Sequence, residues 1–462
     1  MTMTEYCVER MHFGGDGLAR DAAGRWVHIA NALEGERVLG EDVSIRRRRQ
    51  ALCGEVLSPS PLRVAPCCPH GLQCPACQYQ CVDIEAQRRM KFANWRALME
   101  KFVTLPDKVE CWNGVQTLGY RHRTDAVIYG EGASRVVGIA PRLDVVASYI
   151  RRGARAQGDD SFALSELDGV EVLRRAPELY VPLRDCALHA PELNALIARV
   201  EAGPRLPIST RVGLEARGDA ARIVVYATPE AAEDTRRVAV EMARDASICV
   251  VFQCLPPRGS HVYPPAETLS STPWYGYMID SAGHRLDALK GAWTPVNPPN
   301  AVLIPKALAS MMSGLAVESM IELGCGCGTH SSLFLEHARH FVGIDASWPS
   351  ILSAQHNAAQ YHWDNASFFT DTAEHYLDKR YYKGARAQAI VMHSNRMPYS
   401  LETAKRCLRF GARDVFIVAP TAFAMAQECR HFVDNGCQLV HLTLCDTLPM
   451  TYHQMAVAHL VR

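Results

Sequence analysis

One stretch of the sequence indicates the fold most directly: Met320-Ile-Glu-Leu-Gly-Cys-Gly-Cys-Gly-Thr329. It joins an apolar run to three closely spaced glycines. Glycine allows a tight turn and leaves backbone N–H groups beside the start of the next helix, where nucleotide cofactors bind. The run 331–340 predicts that helix, and Phe341-Val-Gly-Ile-Asp345 predicts a second buried strand that ends in an acid. The stretch therefore predicts a βαβ unit that binds a nucleotide cofactor.

The spacing of the glycines favours one kind of cofactor. They are closer together than in the Gly-x-Gly-x-x-Gly turn of dinucleotide-binding enzymes, and Glu322 precedes them, which favours S-adenosylmethionine. A glycine turn alone also suits a structural loop, but acids that follow in order indicate a methyltransferase-type domain. The predicted cofactor-binding residues are Gly324, Gly326, Gly328, Thr329, Asp345 and Asp371.

Length and composition set the class of protein. The chain has 462 residues, 48% of them hydrophobic and 21% charged, as in globular proteins with two to four domains. No apolar run reaches membrane-spanning length, and the first residues lack the features of a signal peptide. We therefore expect a cytoplasmic or organelle-matrix protein without a membrane partner. The formal net charge of zero predicts that any site for a polyanion is local.

Three of the 17 cysteines form a motif, since Cys68, Cys74 and Cys77 have C-x5-C-x2-C spacing in a loop rich in proline and glycine. Such a loop lets thiolates converge on one metal centre, and three ligands require a fourth. Spacing alone leaves zinc, an iron–sulfur cluster and simple loop thiols as alternatives. Cys67 and Cys81 are nearby thiols that make the ligand assignment ambiguous.

Residues 1–56 predict a small β unit that ends in a cationic run, Ile45-Arg-Arg-Arg-Arg49. If this run is a strand, alternation places two arginines on each face, so the run is not wholly buried. One interpretation is a solvated edge. The other is the phosphate-contacting edge of an oligonucleotide-binding barrel.

In this order, these features resemble the uracil-C5 RNA methyltransferase family. Gly14-Gly-Asp-Gly-Leu-Ala19 is similar to the family's TRAM domain, a small RNA-binding barrel, and Pro66–Gln80 is similar to its iron–sulfur loop, with Pro75-Ala76 in place of a glycine pair. Asp185-Cys-Ala-Leu-His189 resembles the segment with the fourth cluster ligand. The resemblance therefore implies a [4Fe–4S] cluster held by Cys68, Cys74, Cys77 and Cys186.

The resemblance also implies the fold class, a multidomain α/β protein. The predicted domains are an OB-like TRAM barrel over 1–56, a central β-rich iron–sulfur domain over 57–290, and a Rossmann-like class I methyltransferase domain over 291–462. Tyr120-Arg-His-Arg123 resembles a basic segment of the family's central domain. The predicted RNA-binding residues are Arg46, Arg47, Arg48, Arg49, Arg121 and Arg123.

The catalytic positions depart from the family. Its mechanism uses a cysteine that adds to carbon 6 of uracil and a carboxylate that removes the proton from carbon 5. By position, Ala419 replaces the nucleophile and Met455 replaces the base. Pro295 and His393 replace two polar cofactor contacts, and Cys445 is the nearest candidate for a relocated nucleophile, although a buried structural thiol is the simpler interpretation.

The sequence therefore predicts an RNA-binding protein of this architecture, acting on ribosomal or transfer RNA, in which 5-methyluridine formation is lost. It would serve as an RNA scaffold or ribosome-assembly factor and bind S-adenosylmethionine with weakened affinity. The alternative is an active S-adenosylmethionine-dependent RNA methyltransferase with altered chemistry, because methylation of an exocyclic nitrogen or a ribose oxygen needs no cysteine adduct. A purely structural or redox-sensing protein is the remaining alternative.

Overall fold

The structure, a computed structural model, describes most of the chain. The described residues are 3–43, 49–71, 73–130, 135–156, 179–256, 266–271, 276–280, 282–289, 292 and 294–462. By their contacts they form two compact units, each discontinuous in sequence. The first unit comprises Met1–Gln87, Arg121–Pro273 and Met450–Tyr452; the second comprises Arg88–Tyr120, Trp274–Pro449 and His453–Arg462. The three predicted domains, with boundaries at 56 and 290, stay a prediction.

A closed five-stranded barrel with the order β1-β2-β3-β5-β4 opens the first unit. Its strands are β1 (Met3–Met11), β2 (Gly17–Arg20), β3 (Trp26–Ala30), β4 (Arg37–Asp42) and β5 (Gln50–Ser58). Residues of alternate positions fill the interior, including Tyr6, Val8, Ile29 and Val38. The predicted N-terminal barrel is thus present.

Helix α1 (Ile84–Met99) and strand β6 (Lys108–Asn113) follow the cysteine loop. Asp83 caps α1, because its Oδ1 accepts hydrogen bonds from the N–H groups of Glu85 and Ala86, both at 3.1 Å.

A seven-stranded sheet with the order β13-β12-β11-β10-β7-β8-β9 forms the rest of the first unit. Its strands are β7 (Arg123–Tyr129), β8 (Val136–Ile139), β9 (Val181–Pro182), β10 (Arg211–Arg217), β11 (Ala220–Ala227), β12 (Ile248–Cys254) and β13 (Glu267–Thr268). Helices α2 (Leu143–Ala156), α3 (Pro191–Ala202) and α4 (Ala232–Met242) connect them, with a short 3₁₀ helix at Pro229–Ala231. Apolar residues of the sheet and of α3 and α4 make the core.

The second unit contains an eight-stranded sheet with the order β18-β17-β16-β19-β20-β22-β21-β6 and a separate β14–β15 hairpin. The strands are β14 (Gly276–Ile279), β15 (Arg285–Ala288), β16 (Val317–Leu323), β17 (Ala338–Asp345), β18 (Ala366–Thr370), β19 (Ala389–His393), β20 (Asp414–Ala419), β21 (Gln438–Asp446) and β22 (Met455–Val461). The helices are α5 (Pro298–Ala301), α6 (Leu303–Met311), α7 (Ser331–Leu335), α8 (Trp348–Gln360), α9 (Ala373–Tyr381), α10 (Leu401–Phe410) and α11 (Ala422–Val433).

The strand directions in this sheet place the candidate site. Strands β16–β20 run parallel, whereas β22 runs antiparallel to both β20 and β21. This is the predicted Rossmann-like architecture. Ligands of such sheets bind at the carboxyl ends of the parallel strands, so the ends of β16–β19 mark the candidate cofactor site.

One local prediction was wrong. The helix expected over 331–340 is only α7, which ends at Leu335, and Ala338–His340 belong to β17. A turn from His337 N to Phe334 O at 3.1 Å closes the helix. Ala338 then pairs with Val317 of β16, so sheet pairing takes residues that the sequence pattern assigned to a helix.

Candidate cofactor site and cysteine centre

The loop after β16 has the tight turn that the sequence predicted. Its three glycines all have positive φ, +77° at Gly324, +58° at Gly326 and +83° at Gly328. The N–H of Gly324 donates to the carbonyl of Ile344 at 2.7 Å, which fixes the loop to β17. A Cβ atom at position 324 would lie 3.0 Å from the carbonyl oxygen of His393. Position 324 therefore requires glycine for both its backbone conformation and its space.

Two predicted acids meet beside this loop. Asp345 ends β17 and accepts hydrogen bonds from Gly326 N at 3.0 Å and from Ser347 N at 2.8 Å. Asp371 follows β18; its N–H donates to the Asp345 carbonyl at 3.1 Å, and its carboxylate lies 2.7 Å from His375 Nδ1. The structure thus brings the glycine loop, Asp345 and Asp371 to one edge of the sheet, the arrangement that suits a nucleoside ribose.

A buried polar cluster lies under the loop. Glu322 is fully buried; its Oε2 accepts a hydrogen bond from Ser331 Oγ at 2.6 Å, and its Oε1 lies 2.8 Å from His393 Nε2, at angles outside those of a hydrogen bond. The His393 ring stacks on His330, with centroids 5.3 Å apart. Burial and the neighbouring His393 lower the pKa of His330 to about 3, so this imidazole is neutral at physiological pH.

Among the described residues, some buried polar atoms of this cluster lack a hydrogen-bond partner. Within the described part of the chain, His330 Nδ1 and Ser332 Oγ are buried without a hydrogen-bond partner, whereas Glu322 Oε1 and His393 Nε2 form an ion-pair contact with each other at 2.8 Å. Buried polar atoms that lack partners are costly, and ligands commonly satisfy them. Thr329, the last predicted cofactor residue, lies at the end of the loop with its Oγ1 3.7 Å from Cys327 Sγ. This donor and acceptor set fits a polar cofactor such as S-adenosylmethionine.

Sequence reasoning missed two residues that shape the site. Glu428 of α11 is buried and accepts hydrogen bonds from Ser394 Oγ at 2.5 Å and Tyr399 N at 2.6 Å, so it holds the loop after β19. Burial raises the pKa of Glu428 to about 7. The hydroxyl of Tyr399 would lie 3.4 Å from a Cβ at Gly324. The available signal was a single acid among the apolar residues of the Ala422–Val433 helix.

The predicted nucleophile and base positions lie on neighbouring strands. Ala419 ends β20, is fully buried, and pairs with Ala456 of β22; Met455 is the residue before Ala456 and begins that strand. Neither side chain carries a group that adds to a pyrimidine or accepts a proton. The polar residue beside Met455 is Gln454, a neutral amide. The structure therefore brings the two predicted positions together on neighbouring strands.

The nearby thiols do not replace the missing cysteine. Cys445 of β21 is fully buried in the core, pairs across the strand with Met455, and has its Sγ 3.9 Å from the carbonyl of Leu303. Burial raises the pKa of Cys445 far above that of an ordinary thiol. Cys429 is also fully buried, and its Sγ lies 3.6 Å from Met425 Sδ. Such burial suits structural thiols, and the interpretation of Cys445 as one stays a prediction.

Buried polar pairs stabilise the same end of the sheet. Lys91 of α1 donates from Nζ to Asp446 Oδ1 at 2.7 Å and to the carbonyl of Leu448 at 3.0 Å, with both charged side chains almost completely buried. Asn297 is buried as well and donates to the carbonyl of Thr447 at 2.5 Å. The predicted Pro295 substitution lies two residues earlier and is partly buried.

The four predicted cluster ligands come together, although Cys186 is far from the others in sequence. The charges of Cys68 and Cys186 act on the Cys74 thiol, and those of Cys74 and Cys186 act on the Cys77 thiol. Burial raises the pKa of Cys77 to about 12. Arg121 lies beside the group, where its charge lowers the pKa of Cys186 against the larger effect of burial. Arg121 thus acts on three of the four predicted ligands, Cys74, Cys77 and Cys186.

The predicted RNA contacts are placed only in part. Arg46, Arg47 and Arg48 lie outside the described residues. Arg49 precedes β5, is 40% exposed, and has its NH1 3.5 Å from Asp21 Oδ2. Arg121 and Arg123 are partly buried, and Arg121 Nε donates to the carbonyl of Arg123 at 3.2 Å. Their role in RNA binding stays a prediction.

A second cationic feature on the barrel was not predicted. The guanidinium groups of Arg10 and Arg20 lie 4.5 and 3.9 Å from the ring centroid of Trp26. These contacts are cation–π interactions, which hold the two guanidinium groups against the indole ring. Because the feature combines residues of β1, β2 and β3, it has no local sequence signature.

No helix in the described part of the chain has the length and apolar character to span a membrane.

The chain is similar to known methyltransferases. The methyltransferase-domain family matches residues 316–440. The 23S rRNA (uracil(1939)-C(5))-methyltransferase RlmD of Aeromonas salmonicida is 24% identical over 460 residues, which cover 98% of this chain and 95% of the relative. An uncharacterized RNA methyltransferase of Halalkalibacterium halodurans is 24% identical over 472 residues, covering 99% and 96%.

One solved structure matches the whole chain. The tRNA (uracil-54, C5)-methyltransferase of Pyrococcus abyssi, in complex with S-adenosyl-L-homocysteine, has a TM-score of 0.66 at 14% identity and covers 99% of this chain and 100% of that one. At this identity the match shows a shared fold. The sequence relatives and the fold together confirm the resemblance read from the motifs: along its whole length, this chain is related to the uracil-C5 RNA methyltransferases.

Proposed function

We propose that this protein binds structured RNA, ribosomal or transfer, together with S-adenosylmethionine, and that it does not form 5-methyluridine. It acts instead as an RNA scaffold or ribosome-assembly factor. The observation that carries this proposal is the pair of apolar side chains, Ala419 and Met455, where uracil-C5 chemistry needs a thiol and a carboxylate. Carbon 5 of uracil is not acidic, so loss of the covalent nucleophile costs many orders of magnitude in rate.

The cofactor half of the site supports retained binding. The glycine loop keeps its positive φ angles, and Asp345 and Asp371 lie beside it. The buried atoms without hydrogen-bond partners, His330 Nδ1 and Ser332 Oγ, are groups that a cofactor would satisfy. Pro295 and His393 replace two polar contacts of the family, and about 1–3 kcal/mol for each unpaired group predicts weakened but measurable affinity.

Two measurements test this proposal. Calorimetric titration of anaerobically purified protein with S-adenosylmethionine should give micromolar binding, which Asp345→Asn should weaken about tenfold or more. Nucleoside analysis of ribosomal and transfer RNA should give the same amount of 5-methyluridine from cells with and without the protein. Loss of 5-methyluridine on deletion would contradict the proposal directly. Absence of cofactor binding at millimolar concentration would remove the cofactor half of it.

A second candidate function is methyl transfer to a nitrogen or oxygen of RNA, and one contact favours it. His393 Nε2 lies 2.8 Å from the Glu322 carboxylate at the edge of the glycine loop. An imidazole paired with a carboxylate is the usual arrangement of a general base, and a heteroatom acceptor needs a base but no covalent adduct. In this reaction His393 would accept the proton of the acceptor as the methyl group transfers.

Labelled methyl groups separate the two functions. RNA from cells without the protein, incubated with the protein and labelled S-adenosylmethionine, should gain label only if the second function is correct, and the labelled nucleoside should not be 5-methyluridine. His393→Asn should then abolish the signal. His340→Asn is the matched control, because that histidine is 69% exposed and pairs with Glu318 at the opposite ends of the strands.

We also propose that Cys68, Cys74, Cys77 and Cys186 hold a [4Fe–4S] cluster, which would cross-link the loop 66–80 to the segment around Cys186. Anaerobic protein should contain about four irons and four sulfides and absorb in the visible. Cys68→Ser should lose the cluster, whereas Cys67→Ser, a neighbouring exposed thiol, should keep it. Colourless protein with one equivalent of zinc would contradict this assignment. We propose the cytoplasm as the compartment of the protein, where thiols stay reduced and available as metal ligands.

RNA binding is proposed to involve the arginines 46–49, with Arg121 and Arg123. Each phosphate contact removed should reduce the slope of log affinity against log salt by about 0.7–0.9. Replacing all four arginines at 46–49 with alanine should therefore flatten the salt dependence. Arg339→Ala, which changes a 75% exposed arginine of the second unit, is the control. Unchanged affinity and salt slope in the fourfold variant would remove this edge from the interface.

A further inference from the structure

Three side chains that the proposed function does not use meet at the rim of the N-terminal barrel. His12, Asp16 and His28 each offer one ligand atom, and these atoms all lie within 4.8 Å of one another. Within the described residues, no other set of three His, Cys, Asp or Glu ligand atoms is as compact. We propose that His12, Asp16 and His28 bind a divalent first-row transition metal, with Zn²⁺ as the expected ion.

The barrel holds the three residues in place. His12 follows β1 and Asp16 precedes β2, so both belong to the turn of one hairpin. The turn is closed by hydrogen bonds from His12 N to Asp16 O at 2.6 Å and from Gly15 N to His12 O at 2.9 Å. His28 lies in the middle of β3, opposite Leu18 of β2. Strand pairing therefore fixes the backbone of His28, and the hydrogen bonds of the turn hold that of His12 and Asp16.

The ligand chemistry and one distance match zinc. His28 Nδ1 lies 3.3 Å from Asp16 Oδ2. Two ligand atoms at about 2.0–2.1 Å from a tetrahedral zinc ion are about 3.3 Å apart, so this pair already has the required separation. Two imidazoles and a carboxylate are ligands that zinc and its neighbours accept, and they leave a fourth position for water. Both side chains are about one-fifth exposed, so an ion has access.

The ion must compete with a hydrogen bond that His12 already accepts. His12 Nδ1 accepts a hydrogen bond from Gly14 N at 3.0 Å, and the His12 ring packs edge-on against His28 at 4.7 Å. Coordination through Nδ1 uses the same lone pair, and coordination through Nε2 moves the ring proton to Nδ1, which then no longer accepts. Metal binding therefore ends the Gly14 bond, and the expected affinity is micromolar, weaker than that of a closed structural zinc site.

The turn also contacts other parts of the first unit. The ring of Phe13 lies 6.0 Å from that of Tyr452, and a Cβ at Gly15 would lie 2.7 Å from Gln78 Cβ in the cysteine loop. An ion at the turn would therefore stiffen a segment that packs against both the cysteine loop and residues 450–452. The expected effect is a higher melting temperature of the protein with Zn²⁺ than without it.

The test uses the full-length protein, purified anaerobically with its cysteine centre intact, and titrated with Co²⁺ and then Zn²⁺. One equivalent of Co²⁺ should bind at micromolar concentration and show visible d–d bands without thiolate-to-cobalt charge transfer, because its ligands are nitrogen and oxygen. Zn²⁺ should displace it. Asp16→Asn and His28→Gln should each weaken binding at least tenfold and abolish the rise in melting temperature.

His340→Gln is the matched control, since that histidine also has one carboxylate partner, Glu318 at 3.6 Å, but no third ligand. It should bind the ion as the wild type does. Asp16→Asn is nearly isosteric, and circular dichroism of each variant checks that the barrel folds. The proposal is overturned if the wild type lacks this equivalent, if Asp16→Asn binds as tightly as the wild type, or if the bound cobalt shows thiolate bands.

Discussion

The two halves of one sheet edge differ in chemistry. At the cofactor half, the ends of β16–β19 present Gly324, Asp345, Asp371 and His393 around the buried Glu322. At the acceptor half, the end of β20 and the start of β22 present Ala419 and Met455. The first half retains carboxylates and imidazoles, some still without partners, whereas the second presents alkyl and thioether groups.

The fold of the sheet and the chemical groups at its edge are therefore separable. Strand order and pairing place Ala419 and Met455 next to each other whatever their side chains are, because register is set by the core-facing residues. Chemistry depends on single side chains at strand ends, and these change without cost to the sheet. The fold therefore indicates relatedness to other proteins, whereas the side chains at the strand ends indicate which reactions are possible.

The largest effect should come from the buried ion pair at the acceptor half. Asp446→Ala leaves Lys91 in a site where its side chain is 1% exposed, and burial already lowers the pKa of that amine. Removing one partner of a buried pair costs about 3–5 kcal/mol. The melting temperature of the corresponding transition should fall by roughly 10 °C in calorimetry.

The double variant Lys91→Met with Asp446→Leu controls for the loss of charge. It should recover part of the lost stability, because an apolar pair replaces Lys91 and Asp446 while Arg88, whose Nε lies 3.7 Å from Asp446 Oδ2, still loses this carboxylate. If the double variant melts as low as Asp446→Ala, packing rather than the orphaned charge explains the defect. The acceptor half would then be sensitive to any change.

A second prediction concerns the cofactor half. Gly324→Val places a β-branched residue at φ +77° and against the His393 carbonyl at 3.0 Å. The loop must shift, and S-adenosylmethionine affinity should fall by roughly a hundredfold, about 2.7 kcal/mol, in calorimetric titration. Gly436→Val is the control, because Gly436 has φ +90° with open space around it. Equal loss of affinity in both variants would mean that general strain, not loop geometry, controls binding.

The sequence predicted the glycine turn and the strand that precedes it, since both depend on short-range patterns. It also placed Cys186 with the loop cysteines, although only through resemblance to a family. It failed where tertiary packing decides. Glu428 and Tyr399 meet the cofactor loop through contacts between α11 and the loop after β19, and the 331–340 helix gave way to pairing with β16.

A third prediction concerns how protein stability depends on pH through Glu428. Burial raises the pKa of Glu428 from 4.5 to about 7, so the folded state holds a proton that the unfolded state releases between these values. Stability from this group is therefore present below pH 4.5 and is lost as pH rises to about 7. Glu428→Gln stays neutral, so its melting temperature should exceed that of the wild type by several degrees at pH 8 and converge toward it at pH 5.

The same variant has a matched control in Glu402→Gln, which changes a 59% exposed carboxylate of α10. That variant should show no such pH-dependent difference from the wild type. The expected change in stability for Glu428 is about 1–3 kcal/mol across the window. A constant difference between wild type and Glu428→Gln at every pH would show that Glu428 keeps its charge in the fold.

The smallest effect on stability and on ligand affinity should come from Met455→Leu. If the acceptor half has no chemistry, a volume-conserving apolar exchange costs less than about 1.5 kcal/mol of stability and leaves cofactor and RNA affinities unchanged within about twofold. Asp371→Asn, at the other half, should weaken the cofactor measurably under the same conditions. Any methyl transfer that the protein performs should survive Met455→Leu, because a thioether neither adds to a base nor accepts its proton. A large loss of activity in this variant would show that the acceptor half takes part in the reaction, as the cofactor half does.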